Sequence, residues 1–251
     1  PNGTQVCFVS NREEHAFIGV YTFSTNSIQF VDPSTYIDAD PVWNKEGTQI
    51  AFLRKTYTKQ EVLFDPKRAV DQPWQIRIVD IEKNTAQTLF TADPGKGSVL
   101  VNDLPAVNGK LLWTNDNHLI FPWEKTGWMH LYSISVNDKK VTELTPGNGE
   151  VETMRLAKDG NTVYYVANIL DSNRRHIWSV NTEKRIPILL TPGKKIDYSP
   201  VELKNGFAYL SASAVSPAWP YYQSTTGSGN HPLAQTMFPA NFPTNLVMPT
   251  T

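Results

Sequence analysis

The sequence predicts an all-β protein, a β-propeller of four-stranded antiparallel blades, on three observations. The first is a long internal repeat: "HLYSISVNDKKVTELTPG" begins at His130 and "HIWSVNTEKRIPILLTPG" begins at His176, an offset of 176 − 130 = 46. Self-similarity at such a period marks a repeat architecture. The second is a set of β-rich triplets, Val6-Cys7-Phe8, Ile50-Ala51-Phe52, Leu119-Ile120-Phe121, Val163-Tyr164-Tyr165 and Phe207-Ala208-Tyr209, whose last residues fall 44, 69, 44 and 44 apart. The third is turn chemistry between the strand candidates, at Glu46-Gly47, Asn115-Asp116-Asn117, Asn137-Asp138, Asp159-Gly160 and Asn205-Gly206. These residues supply the positive backbone angles of tight hairpins at little steric cost. Four short strands every ~40–50 residues is the spacing of a propeller blade. About five blade motifs are present, so the propeller is partial.

Taken in order, the best-defined unit predicts strands near 41–43, 50–54, 75–80 and 87–90. The third unit predicts 119–123, 130–136 and 141–145, matched in the fourth by 163–167, 176–181 and 186–190. Gln75 to Val79 alternates polar and apolar, as a strand with one face on a core does. The step of 69 is a standard 44 plus 25, and two insertions hold the surplus: Thr56 to Pro73, and Ala92 to Lys110. Long loops in a compact repeat are frequent carriers of function. Residues 1–215 read as blades. From 216 to 251 the chain is dense in Pro, Gly, Ser and Thr and reads as a linker or wrapping tail. The chain opens on Pro1 rather than Met, and the expectation is a part of a longer protein.

Composition narrows the function classes. Net charge is −1, from 23 basic and 24 acidic residues, with no basic stripe, which argues against nucleic acid as a partner. No apolar run approaches the ~18 residues of a membrane span. The single cysteine, Cys7, excludes an internal disulfide and sits mid-triplet as a small buried hydrophobe. Trp43, Trp113, Trp123, Trp128, Trp178 and Trp219 lie at or beside strand candidates and read as blade packing in preference to a ligand cage. The compartment is open, the periplasm favoured over the cytoplasm.

Few residues invite a chemical role. His130 and His176 hold equivalent repeat positions, which points to structure, and neither has a metal-type partner nearby in sequence. No metal site and no cofactor motif is read. Glu13-Glu14 reads as a solvated hairpin turn. Arg174-Arg175 could clamp a carboxylate, or simply occupy a charged turn. In the first insertion Lys67 and Arg68, beside Phe64, could reach a peptide's carboxyl end or a partner domain. Lys67, Arg68, Arg174 and Arg175 are therefore the candidate substrate-binding residues.

Several texts carry a family resemblance. "DADPVWNKEGTQIAFLR" resembles the blade motif of TolB-like propellers and of the propellers of prolyl oligopeptidase family serine peptidases. "LLWTNDNHLIFPWEKTGWMHLYSISVNDKKVTELTPGNGEVE", then "NILDSNRRHIWSV" and "IDYSPV", resemble bacterial dipeptidyl-peptidase-IV-like members of that family. "FPANFPTNLVMP" is similar to the segment that leads into their α/β-hydrolase domain. The resemblance implies a propeller that gates peptide substrates for a C-terminal hydrolase domain of the same polypeptide. It departs from a whole member in one respect: no serine here sits in Gly-x-Ser-x-Gly, the strained turn that presents such a nucleophile. No catalytic residue is assigned, and the expectation is that these residues alone do not cleave. The alternative is a stand-alone TolB-like propeller that binds a protein partner.

Overall fold

The computed structural model describes residues 2–56, 73–95, 110–224, 229–243 and 245–247. Both insertions fall largely outside the described residues, and Lys67 and Arg68 with them. The remainder is strand and turn, with one short 3-10 turn at Gln235–Met237. The chain divides into two compact units, 1–146 and 147–251.

In the first unit, β1 (Gln5–Arg12), β2 (His15–Thr22) and β3 (Ser27–Val31) form the first blade, antiparallel throughout. The second blade is β4 (Ile37–Trp43), β5 (Gln49–Lys55), β6 (Gln75–Asp80) and β7 (Thr85–Thr91), paired in chain order. A single parallel bridge, Ala16 with Ile37, joins the two. The third blade is β8 (Leu112–Trp113), β9 (His118–Trp123), β10 (His130–Ser135) and β11 (Val141–Glu143).

In the second unit, β12 (Val151–Leu156), β13 (Thr162–Ala167), β14 (His176–Asn181) and β15 (Ile188–Leu189) form the fourth blade. The fifth is β16 (Ile196–Leu203), β17 (Gly206–Ser213), β18 (Ser216–Ser224) and β19 (Asn230–Pro232). Here the sequence reading needs correction. The stretch from 216 that reads as tail supplies two strands of the fifth blade, and the division expected at 215/216 falls inside the β17–β18 hairpin. Pro217 and Pro220 weaken a strand's signature because proline donates no hydrogen bond. The ladder tolerates them: the Pro220 carbonyl still accepts from Leu233 N–H at 2.8 Å.

The triplets are the second strands of blades two to five and sit in β1 of the first. The 46-residue repeat also has a cause. Leu131 N–H donates to the Thr145 hydroxyl at 2.9 Å, and Ile177 N–H to the Thr191 hydroxyl at 2.9 Å. Next to each, Leu144 N–H reaches Leu131 O and Leu190 N–H reaches Ile177 O, both at 2.8 Å. Each Thr-Pro-Gly then ends on a glycine at φ 131° or 132°, outside the comfortable range of an L side chain. Gly206 is fixed for another reason: a Cβ there would lie 2.0 Å from Gln223 O.

Apolar faces pack blade on blade. In the first unit Ala51, Leu53, Ile76, Ile78 and Leu89 meet Leu119, Phe121, Trp123, Tyr132 and Ile134 in one buried cluster. The Trp74 ring wedges between Phe90, Phe121 and Trp123, centroids 5.3, 5.8 and 6.4 Å away. A second cluster joins Ile18, Val20 and Val31 of the first blade to Ile50, Phe52 and Val79, with Cys7 at its border. In the second unit Val166 and Ile177 pack on Phe207 and Tyr209. Each fully buried side chain of this size contributes roughly 1.5–3 kcal/mol. The aromatic residues in these clusters therefore build cores.

Candidate functional site

Up-and-down blades have two unlike edges. One carries the turns between first and second strands and between third and fourth. It is made of tight hairpins with Gly47, Asn84, Asn117, Lys139, Gly160 and Arg185 at positive φ. The other carries the connections between second and third strands and those between blades. Both insertions leave from this second edge, after β5 and after β7, so Lys67 and Arg68 belong to a segment anchored there. The connection between Ala167 and His176 that bears the arginine pair lies on the equivalent edge of its own blade.

Arg174 and Arg175 brace that connection. Arg174 Nη1 lies 2.8 Å from Asp171 Oδ2, and Arg175 Nε lies 2.8 Å from Glu152 Oε1. Asp171 also accepts from Asn173 N–H at 3.0 Å, and its bond from Arg174 holds its carboxyl below the usual carboxylate range. Each arginine thus faces a carboxylate of its own unit. Beside them Leu170 is 80% exposed at φ 75°, an arrangement that costs an L side chain about 1–2 kcal/mol. Glu13 and Glu14 form the exposed turn between β1 and β2, as the sequence indicates.

Sequence reasoning missed the strongest electrostatic feature of this edge. In the first unit Arg54 donates to Asp38 through Nε (2.7 Å) and Nη2 (2.9 Å), and its Nη1 lies 3.0 Å from Asp32 Oδ2. Arg77 grips the same Asp32 through Nη2 at 2.7 Å and Nε at 2.8 Å, and donates to the Thr88 hydroxyl. Tyr36 and Phe52 place rings 5.9 and 5.4 Å from the Arg54 guanidinium. Two carboxylates thus balance two guanidiniums, and Asp38 is wholly buried. Burial pushes the Asp38 carboxyl up, with Arg54 opposing; burial works to lower Arg54, but Asp38 and Asp32 outweigh it and raise it. The pair joins positions 16 apart on neighbouring strands, a spacing no local motif reports.

The second unit has a polar cluster on the equivalent edge of its own blades, made by Asp197 on β16, Ser211 on β17, His176 on β14 and Thr191. Asp197 and Ser211 are direct cross-strand partners, and Asp197 N–H donates to Arg175 O at 2.9 Å. Burial pushes the Asp197 carboxyl up; the Ser211 and Thr191 hydroxyls, His176 and Lys195 pull it down. The hydroxyls nevertheless stand in poor geometry: Asp197 Oδ1, Ser211 Oγ and His176 Nδ1 are all buried without a hydrogen-bond partner. The trio is a serine, a histidine and an aspartate, yet not a catalytic triad. Hydrolysis needs the serine hydroxyl bonded to an oriented imidazole and open to substrate. Neither atom makes that bond, and Ser211 is 2% exposed. Among the described residues no group of three His, Cys, Asp or Glu side chains is placed to hold a metal, and no helix is long and apolar enough to cross a membrane.

With this geometry in hand, known proteins offer a comparison. The family described as the dipeptidyl peptidase IV (DPP IV) N-terminal region matches residues 19–221. No curated protein matches. Among solved structures, a Mycobacterium tuberculosis puromycin-hydrolyzing peptidase is similar at 14% identity and a TM-score of 0.60, over 92% of this chain and 36% of that one. A prolyl endopeptidase structure is similar at 10% identity and a TM-score of 0.63, over 91% and 34%. TolB from Acinetobacter baumannii is similar at 14% identity and a TM-score of 0.54, over 92% and 52%. The chain therefore spans about half of that TolB and about a third of the two peptidases. At these identities the likeness establishes the fold, a β-propeller of four-stranded antiparallel blades.

Proposed function

Since the chain belongs to the dipeptidyl peptidase IV N-terminal region family, we propose that it is the substrate-gating β-propeller domain of a serine peptidase acting on peptides. Catalysis is assigned to a C-terminal α/β-hydrolase domain of the same polypeptide. The family match over residues 19–221 carries the reading. The uneven edges support it. Two insertions and the arginine-braced connection share one kind of edge, while the opposite turns are kept minimal. A gate needs length where substrate passes, and blade packing alone gains nothing from ~25 added residues, each costing roughly 1–2 kcal/mol of backbone entropy if ordered. Lys67 and Arg68 are the cations assigned to a peptide's carboxyl end, and Arg174 and Arg175 hold the connection of the fourth blade in shape.

Deleting residues 58–70 from the full-length polypeptide should change its preference across a peptide-length series while unfolding stays cooperative. An unchanged length profile overturns the gating role. The isolated chain should be inert toward dipeptidyl and prolyl chromogenic substrates, because nucleophile, base and oxyanion hole act as a unit. Turnover abolished by a serine-directed inhibitor overturns that assignment. The TolB likeness keeps a second reading in view, a protein-binding propeller without a hydrolase. A coding sequence that continues without Gly-x-Ser-x-Gly would favour it.

A further inference from the structure

The first strands of the second and fifth blades carry one text: Ile37-Asp38-Ala39-Asp40-Pro41-Val42 and Ile196-Asp197-Tyr198-Ser199-Pro200-Val201. They also share one backbone. Each has a bulge before valine, and the residue preceding proline stands at positive φ, 51° for Asp40 and 55° for Ser199. Two residues before that point lies the aspartate, directly opposite Arg54 in one blade and Ser211 in the other. The fold position that holds a guanidinium against a buried carboxylate in the second blade thus offers a hydroxyl in the fifth.

The consequence is an unbalanced charge. Asp197 is 5% exposed, Ser211 2%, His176 5% and Thr191 3%. Asp197 Oδ1, Ser211 Oγ and His176 Nδ1 are three buried polar atoms of one cluster lacking hydrogen-bond partners. The nearby cation Lys195 is committed elsewhere: its Nζ donates to Tyr221 OH at 3.1 Å and sits 4.4 Å from that ring. Tyr209, the remaining titratable neighbour, accepts from Asn230 at 3.0 Å. A buried carboxylate without a paired charge is costly, and natural structures settle it with a counter-ion or a proton.

We propose that Asp197, with Ser211 and Thr191, forms a receptor at the loop edge of the fifth blade for a guanidinium or primary ammonium group supplied from outside that blade. The carboxylate accepts the cation's N–H donors as Asp38 accepts those of Arg54, with the Ser211 and Thr191 hydroxyls flanking it. A peptide's basic side chain and a partner domain's arginine present the same chemistry. The site is independent of the gating role, since it is read from the second unit alone.

The test is thermal unfolding of the full chain with millimolar methylguanidinium, against sodium chloride of equal ionic strength. A ligand that binds only the folded state raises the midpoint with the logarithm of its concentration. The wild type should show that rise. Asp197→Asn should weaken the response roughly tenfold or more, the loss of a charge-assisted contact. Ser211→Arg, which supplies the guanidinium from within, should abolish it. No response in the wild type means a proton alone satisfies Asp197 and overturns the proposal. An equal response in Asp197→Asn means non-specific binding and overturns it as well; this variant decides the matter should Ser211→Arg fail to fold. If the wild type responds, methylammonium and an arginine-containing peptide compared with its lysine and norleucine analogues then separate a peptide source from a partner domain's arginine.

Discussion

In the second blade Asp38 faces Arg54, and in the fifth Asp197 holds the same place on the same bulge and faces Ser211. One backbone thus supports two electrostatic outcomes. A bulge that turns a strand by a residue at positive φ before proline fixes where a carboxyl group points, and says nothing of what meets it. The first outcome is a balanced network of Asp32, Asp38, Arg54 and Arg77; the second leaves a buried carboxyl to be met by something else. Shape repeats along the chain, and charge does not.

Breaking each side of this comparison should have opposite consequences. Asp38→Ala leaves two guanidiniums, the buried Arg54 and the half-buried Arg77, sharing the one carboxylate of Asp32, and should destabilise the first unit by about 2–4 kcal/mol, read by chemical denaturation. Asp197→Asn removes an unbalanced buried charge and should leave stability at neutral pH unchanged or raised. Equal losses from the two substitutions would show that both carboxyls are equally paired.

The backbone clamps come next. Thr145→Val and Thr191→Val each remove the acceptor of a buried strand N–H, and each should cost about 1–3 kcal/mol. Because the two sites are copies, their losses should agree; a large disparity would show that the 46-residue repeat extends to sequence but not to energetics.

Acidity sharpens the contrast further. The folded-state carboxyl of Asp197 titrates above its ordinary value, so the native state keeps the proton over a window that opens near pH 4. Across that window the unfolded chain binds fewer protons, and stability falls as pH rises. Below the window both states are protonated and the contribution is full. Asp197→Asn should flatten this part of the stability profile, and an unaltered slope would count against it. Asp171 has the opposite sign, lowered by Arg174, but it is partly exposed and its effect lies at the acid end.

The smallest effects belong to the surface. Arg175→Ala loses an ion pair whose guanidinium side is 35% exposed, and should cost under about 1 kcal/mol. Cys7 borders the first unit's inner cluster, and burial pushes its thiol up, so thiol reagents should label it slowly without denaturant. Rapid labelling would mean the first blade opens readily.

How much of this the sequence revealed depends on the range of the interaction. Strands β5, β6, β9, β10, β13 and β14 were legible because alternation and the 44-residue step act locally. Most hairpin turns were legible because Gly47, Asn117 and Gly160 carry their own backbone preference; in the third blade Lys139, and not Asn137 or Asp138, takes the positive φ. β18 was hidden by prolines whose missing donors the ladder absorbs. The ionic network was hidden because Asp32, Asp38, Arg54 and Arg77 converge only once three strands are side by side. A signal existed, the text shared by residues 37–42 and 196–201, but it lies 159 residues apart and off the main period.

The threonine clamps carry one more consequence, for measurement. The amides of Leu131 and Ile177 are chemically alike, both donate to a buried hydroxyl rather than to a strand carbonyl, and they sit in different compact units. Deuterium reaches such an amide only when its surroundings open. The ratio of their exchange rates therefore reads the difference in opening free energy between the two units, with the intrinsic chemistry nearly cancelled. The duplication has built a matched pair of clocks into one chain.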